Sequence, residues 1–387
     1  MKQKLYYSIF VAVILIVTSF IVECIGYLAL HNLNKSDNLR DIFPDRILRL
    51  REVLKGSKNV LPRYVGAVNL NFMPTPNYQI SNFLQHNSDG YRGEKVNMLH
   101  GNKYRILFLG GSTTYSSGVL NPNKTYPAQT IKFLNQLLDS GMIQMKDFNG
   151  FEGINAGLEG GRSCDELNAY LHKFRYYKPN LIILHSVGND AEIDFNNSFS
   201  YTPDEVNFRL TETYLVYRYP IPRIFFRSYF ISYLVIRYDL LKKLNHDQPN
   251  MSNTNYYFCN WYPDIVRKEI SNDYMKSPAI TNISTLIREA LYDSSHIMLM
   301  TFAVNKLSEE CIKRPYYIKN LDGLNNALKK LAMKYNVGII NYNYTDIPSK
   351  HWIDDCHLDE TGDSIKGKFV ANNVVNYLKE KKIITIK

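Results

Sequence analysis

The sequence predicts an α/β protein, a flavodoxin-like three-layer α/β/α sandwich around a five-stranded parallel sheet, preceded by one N-terminal transmembrane helix. Three observations lead there. Short apolar runs alternate with helix-like segments, as expected of strands buried on both faces. Several of these runs pass directly into turns rich in glycine or asparagine, where open α/β sheets carry their ligands. The chain also begins with a nearly unbroken apolar stretch, Leu5 to Leu30, interrupted by Glu23.

That stretch comes first in chain order. About 20 apolar residues cross a bilayer as a helix, so residues 1–30 read as a single-pass anchor. The competing reading, a cleaved signal peptide, calls for an apolar core of about 7 to 15 residues and a small-residue cleavage site. Lys2 and Lys4 favour a cytoplasmic amino terminus, although Lys35, Arg40, Arg46, Arg49 and Arg51 weaken the bias. The remainder is therefore expected on the extracytoplasmic side. Residues 31–103 read as a connecting region. Within it, Asn87-Ser88-Asp89-Gly90-Tyr91-Arg92-Gly93 is a polar turn, either structural or part of a substrate rim.

The main domain is expected over residues 104–387. Strands are predicted at Arg105 to Leu109, Gly153 to Ala156, Leu181 to His185, Ile297 to Thr301 and Val337 to Tyr342. Helical spacing marks Tyr126 to Leu138, Leu321 to Lys334 and a closing helix over Gly362 to Leu378. An insertion at about 195–290 interrupts the alternation. Its basic, aromatic stretch from Thr213 to Leu244 fits a helix on a membrane surface, a wall of an acyl or glycan pocket, or a helix packed on the core. Pro220 and Pro222 argue against a second span.

The chemistry-bearing residues sit at the ends of these strands. Leu109-Gly110-Gly111-Ser112-Thr113-Thr114 puts a serine at a strand's carboxyl end and a helix's start. Asp354-Asp355-Cys356-His357 supplies a histidine with a carboxylate three residues before it. An unactivated serine hydroxyl needs such a base, and the base needs a group to orient it. Between them, Asn155-Ala156-Gly157-Leu158-Glu159-Gly160-Gly161 can bring backbone N–H groups close to a bound oxygen. The turn Val187-Gly188-Asn189-Asp190 projects an amide. Two N–H groups and an amide are the parts of an oxyanion hole. An ordinary turn cap is the alternative role for Asn189.

Four residues in four ordered blocks, Ser112, Gly160, Asn189 and His357, resemble those that name the SGNH hydrolases, the GDSL-like esterase superfamily, in a membrane-anchored, bacterial-type form. The resemblance spans roughly Tyr104 to Leu378. It implies the SGNH hydrolase fold, with Ser112 as nucleophile, His357 as base and Asp354 as its orienting acid. It further implies an oxyanion hole from the N–H groups of Ser112 and Gly160 with the Asn189 amide. Gly111 stands where the family commonly has Asp, and Val187 where the third block commonly has Gly. Neither departure removes a reacting group. The expected activity is hydrolysis of an ester, an O-acetyl or other acyl group on a carbohydrate or lipid, through an acyl-Ser112 intermediate. Transfer of that acyl group to a glycan hydroxyl is the alternative, and a non-catalytic glycan-binding or scaffolding role is a third.

No cofactor and no metal are expected. Cys356 beside His357 invites comparison with a thiol nucleophile or metal ligand, but no Cys-x-x-Cys or His-x-x-x-His spacing accompanies it, which favours a packed or free thiol. Cys24 reads as a small apolar filler, and a Cys259–Cys311 bridge is conceivable. The net charge of +10 suits an anionic surface such as phospholipid or acidic polysaccharide. No zinc-finger spacing, RNP-like block, heptad repeat, Gly-x-x-x-x-Gly-Lys-Ser/Thr loop or Gly-x-Gly-x-x-Gly fingerprint occurs, so nucleic-acid, ATP and nicotinamide functions are not expected.

Overall fold

The computed structural model describes residues 2–36, 46–55, 64–67, 70–80, 83–99, 101–191, 222–245 and 273–387. The chain divides into two units: Tyr64–Arg209 with Tyr256–Lys387, and Met1–Arg63 with Leu210–Asn255.

In the first of these units five strands form one parallel sheet: β1 (Tyr104–Gly110), β2 (Phe151–Gly157), β3 (Leu181–His185), β4 (His296–Met300) and β5 (Gly338–Ile340). Their spatial order is β5-β4-β3-β1-β2, the flavodoxin-like order expected from the alternation of runs. Five helices cover it: α1 (Tyr126–Asp139), α2 (Ser163–His172), α3 (Pro278–Tyr292), α4 (Pro315–Tyr335) and α5 (Glu360–Glu380).

Alternate strand residues feed two cores. Leu107, Leu109, Ile182, Leu184, Ile297 and Leu299 pack with α2, α3 and α4. Ile106, Phe108, Leu181, Ile183 and Met298 pack with α1 and α5. All seven residues of β1 are buried, which explains its apolar run Ile106 to Leu109, while the buried Arg105 is paired with Glu152. Truncating its centre, Leu107 to Ala, removes contacts from both neighbouring strands' layer and is expected to cost about 2–5 kcal/mol.

Element ends differ from the sequence reading for identifiable reasons. β5 stops at Ile340 rather than Tyr342, because the Thr301 hydroxyl donates to Tyr342 O at 2.9 Å and accepts from Tyr342 N at 2.8 Å, replacing ladder bonds. α4 starts at Pro315, six residues before Leu321, since proline fits a first turn that needs no N–H. Pro278–Tyr292, read within the insertion, is the core helix α3. Its Ile280, Ile283, Leu286, Ile287 and Ala290 are buried at helical spacing. The connecting region also enters this unit: Tyr64–Ala67 pairs with Asn71–Pro74, and His86, Tyr91 and Arg92 are buried.

The second unit holds the N-terminal helix, Lys2–Lys35, which is long and apolar enough to cross a membrane. Helix Tyr229–Asn245, from the basic aromatic stretch, packs against it. Glu23, the one acid in the apolar run, accepts from Tyr229 N at 2.7 Å and from the Ser228 hydroxyl, capping that helix's start. A side chain at Gly26 would meet the Phe230 backbone at 2.3 Å, so glycine permits the close crossing. Pro220 and Cys259 lie outside the described residues.

Candidate active site

Strand register assembles the site. Gly110 at the end of β1 lies level with Gly157 of β2 and with His185 of β3, so the three following turns leave the carboxyl edge side by side. Ser112 opens the short helix Ser112–Tyr115. A Cβ at Gly157 would stand 2.1 Å from Tyr115 N; glycine there lets that helix pass over β2.

Arg92 holds the same segment from the connecting region. Its buried guanidinium donates to Tyr115 O at 2.7 Å, Ser116 O at 3.0 Å and Val119 O. His86 Nε2 meets the Tyr115 hydroxyl at 2.9 Å. The Asn87–Gly93 turn is thus structural support for the serine loop. Sequence reading missed Arg92 in that role because its partners are carbonyls 23 and more residues away, with no local pattern.

His357 arrives from the loop before α5. Ile353 N donates to His357 O at 2.9 Å, Trp352 bridges Leu358, and Asp359 caps α5 through Gly362 N at 2.7 Å. His357 Nε2 lies 2.8 Å from Ser112 Oγ. Its Nδ1 lies 2.6 Å from Asp354 Oδ2, while Asp354 Oδ1 accepts from the backbone N–H of Cys356 at 2.9 Å and of His357 at 2.7 Å. Asp355 points elsewhere: its carboxylate pairs with Arg314.

The electrostatics follow from these contacts. Burial disfavours the charged imidazole of His357. The hydrogen bond and charge of Asp354, with smaller help from Glu159 and Asp355, outweigh burial and raise its pKa. Burial likewise opposes ionised Asp354, but His357 and the two backbone donors bring it down to about 2. The pair favours a proton on the ring facing a carboxylate.

Asn189 follows Val187 and Gly188 in the turn after β3, and its Nδ2 donates to Gly161 O at 2.7 Å. One amide proton remains. A Cβ on Gly111 would approach Nδ2 to 2.9 Å, so a side chain there would crowd the amide. Gly160 takes φ +67° in the neighbouring turn, where Gly161 lines the cavity. Asp190 ties the two turns together, accepting from Ser163 Oγ at 2.8 Å and Ser163 N at 3.1 Å at the start of α2. Val187 takes φ +72°, a left-handed conformation that costs a β-branched residue about 1–3 kcal/mol.

A cavity of about 160 Å³ opens beside these residues, lined by Gly111, Ser112, Asn189, Cys356 and His357, with Glu166, His185, Ser186, Phe302, Tyr317 and the Arg314–Asp355 pair also on its wall. Glu166, Ser186 and Arg314 carry no recognisable sequence motif. The signal for Glu166 is an acid on the buried stripe of α2, one turn before Tyr170.

Cys356 Sγ is 3.6 Å from His357 Nδ1 and 4.0 Å from Nε2, and each nitrogen has a closer partner, Asp354 or Ser112. Ligand atoms of Asp354, Cys356 and His357 do lie within 4.8 Å of one another. Two of those three groups already bond each other, so a metal there would have to displace the Asp354–His357 hydrogen bond.

No family model and no curated protein matches the chain. Among solved structures, an acetylxylan esterase from Geobacillus stearothermophilus shares 12% identity over 71% of this chain and 95% of its own, with a TM-score of 0.39. A GDSL-like lipase from Bacteroides thetaiotaomicron shares 11% identity over 72% of this chain and 89% of its own, with a TM-score of 0.37.

Proposed function

We propose that the chain is a serine hydrolase of the SGNH type that cleaves a short acyl ester of a carbohydrate or lipid. One observation carries the reading: Ser112 Oγ, His357 and Asp354 form a continuous hydrogen-bonded line, 2.8 Å then 2.6 Å, whose serine end opens on a cavity. In this reading Ser112 Oγ attacks the acyl carbon while its proton passes to His357 Nε2, and Asp354 stabilises the imidazolium so formed. The N–H groups of Ser112 and Gly160 and the second amide proton of Asn189 take the developing oxyanion. Collapse breaks the ester C–O bond, and His357 returns the proton to the leaving alcohol. Water then repeats the sequence on acyl-Ser112, releasing the acid and regenerating the serine. The N-terminal helix is read as a single-pass anchor that holds this chemistry on the extracytoplasmic face of a membrane, with an acylated envelope glycan or lipid as substrate.

The test uses the full chain in detergent with a fluorophosphonate probe and p-nitrophenyl acetate. Labelling and turnover that both vanish in Ser112→Ala support the hydrolase. Labelling without turnover, relieved by an added sugar acceptor, replaces it with acyl transfer; neither labelling nor turnover removes the enzymatic reading.

A further inference from the structure

The wall of the cavity contains buried polar atoms that the protein itself leaves unsatisfied. Among the described residues, both carboxyl oxygens of Glu166, the Ser186 hydroxyl and His185 Nε2 lack a hydrogen-bond partner, and the three residues are only 3%, 2% and 1% exposed. All three line the same cavity as Ser112. Unsatisfied buried polar groups are rare, and each costs about 1–3 kcal/mol, so several on residues along one cavity point to a ligand that completes them.

The protonation states narrow that ligand. Burial, reinforced by the charges of Asp190 and Asp165, keeps Glu166 protonated well above the usual carboxylate range. The Ser186 hydroxyl beside the carboxyl offsets a part of this. Glu166 therefore offers one donor and one acceptor. His185 Nδ1 faces Lys366 Nζ at 3.4 Å and Thr113 Oγ1 at 3.3 Å. An ammonium only donates, so Nδ1 accepts and the ring proton belongs on Nε2, the unsatisfied nitrogen. Burial, and then the Lys366 charge, hold that ring neutral.

A protonated Nε2 cannot ligate a metal and does not welcome a cation, and the Arg314 charge on the same wall is already paired with Asp355. An anion would lie near Asp165 and Asp190, the charges that already oppose ionisation of Glu166. A hydroxyl meets both demands, accepting from His185 or Glu166 and donating to the Glu166 carbonyl oxygen or Ser186. We infer that Glu166, Ser186 and His185 form a polar subsite that binds a neutral hydroxyl group of the substrate beside the ester cleaved at Ser112. This rests on the hydrolase reading and adds a substrate class to it: esters hydroxylated next to the scissile bond, on the acyl or on the alcohol side.

The experiment compares kcat/KM for matched esters with the full-length protein. One arm sets p-nitrophenyl lactate against p-nitrophenyl propionate, which differ by an acyl hydroxyl. The other sets 2-hydroxycyclohexyl acetate against cyclohexyl acetate, which differ by one hydroxyl on the alcohol side. The wild-type protein is expected to favour the hydroxylated member of one arm by about 10- to 100-fold, and the arm that responds identifies the side. Glu166→Leu should bring that ratio close to one, chiefly through KM, while Glu166→Gln, which keeps a donor and an acceptor, should retain most of it.

Melting temperatures verify that both variants fold; if Glu166→Leu does not, Ser186→Ala takes its place. An unchanged ratio in folded Glu166→Leu overturns the subsite and leaves the hydrolase standing. A preference for the alanyl over the lactyl ester overturns the neutral-hydroxyl assignment in favour of an ammonium. Absence of labelling and of turnover with every ester overturns both readings together.

Discussion

Two sets of residues along the cavity beside Ser112 are built on opposite terms. In one the side chains are held in place: Ser112 by His357, His357 by Asp354, Asp354 by two backbone N–H groups, and Asn189 through one amide proton by Gly161 O. In the other, the Glu166 carboxyl, the Ser186 hydroxyl and His185 Nε2 lack hydrogen-bond partners among the described residues. Groups that must act in a fixed geometry are preorganised by the protein, because reorganising them during reaction would raise the barrier. Groups that recognise a substrate are completed only by it.

The largest expected effect comes from breaking the held set. Ser112→Ala should abolish fluorophosphonate labelling and lower ester turnover by about 10⁴-fold or more with the fold intact, read by labelling and circular dichroism. His357→Ala should be comparable, whereas Cys356→Ser should be mild because each ring nitrogen has a nearer partner than Sγ. Reversal of those two results would point to a thiol mechanism.

The paired acids give the next contrast. Asp354→Asn should cost about 10⁴-fold in kcat, since an amide can present the wrong tautomer to His357. Asp355→Asn weakens the contact to Arg314 and removes a minor charge acting on His357, and should cost well under tenfold. Equal losses would show that the wrong acid is assigned.

Asn189→Ala should lower kcat by about 10²- to 10³-fold with little change in KM, as for loss of one oxyanion donor. A variant that is less stable yet turns over normally while folded would leave Asn189 a turn cap.

The pH profile tests the same held set. His357 must be neutral to take the serine proton, and its pKa is raised, so kcat/KM should fall as pH drops through a value above that of an ordinary histidine. In Asp354→Asn, burial remains while the raising contacts go, so the residual activity's acid limb should move to lower pH. An unmoved limb would separate the limb from His357.

The smallest effect concerns stability at Val187. Glycine normally destabilises more than alanine, but at φ +72° it relieves strain that alanine keeps. Both lose the packing of a side chain only 1% exposed. Thermal unfolding should therefore rank Val187→Gly as no less stable than Val187→Ala; a clear reversal would mean that position carries no strain.

Much of this arrangement was legible in the sequence. The strands were, because burial on both faces demands unbroken apolar runs such as Ile106 to Leu109. The turn residues after three of them were also legible, because their chemistry is local. Helix α3 was hidden by its place at the end of the long insertion, although its buried spacing is regular. The roles of Arg92, Ser186 and Arg314 were not visible, and Glu166 showed only as an acid on a buried helical stripe. Their partners lie on other elements, and a charged residue on a helix or loop is ordinarily solvated.

The sequence by itself determined which residues end the strands and in what order the chemistry-bearing turns follow, because apolar period, glycine and chain order are local properties. Only the tertiary structure decided that Gly110, Gly157 and His185 stand level, that Asp354 rather than Asp355 reaches His357, and that Glu166 is buried along the cavity that Ser112 lines. Those outcomes depend on register and on which side chain wins a buried partner, and both are settled by packing between segments far apart in the chain.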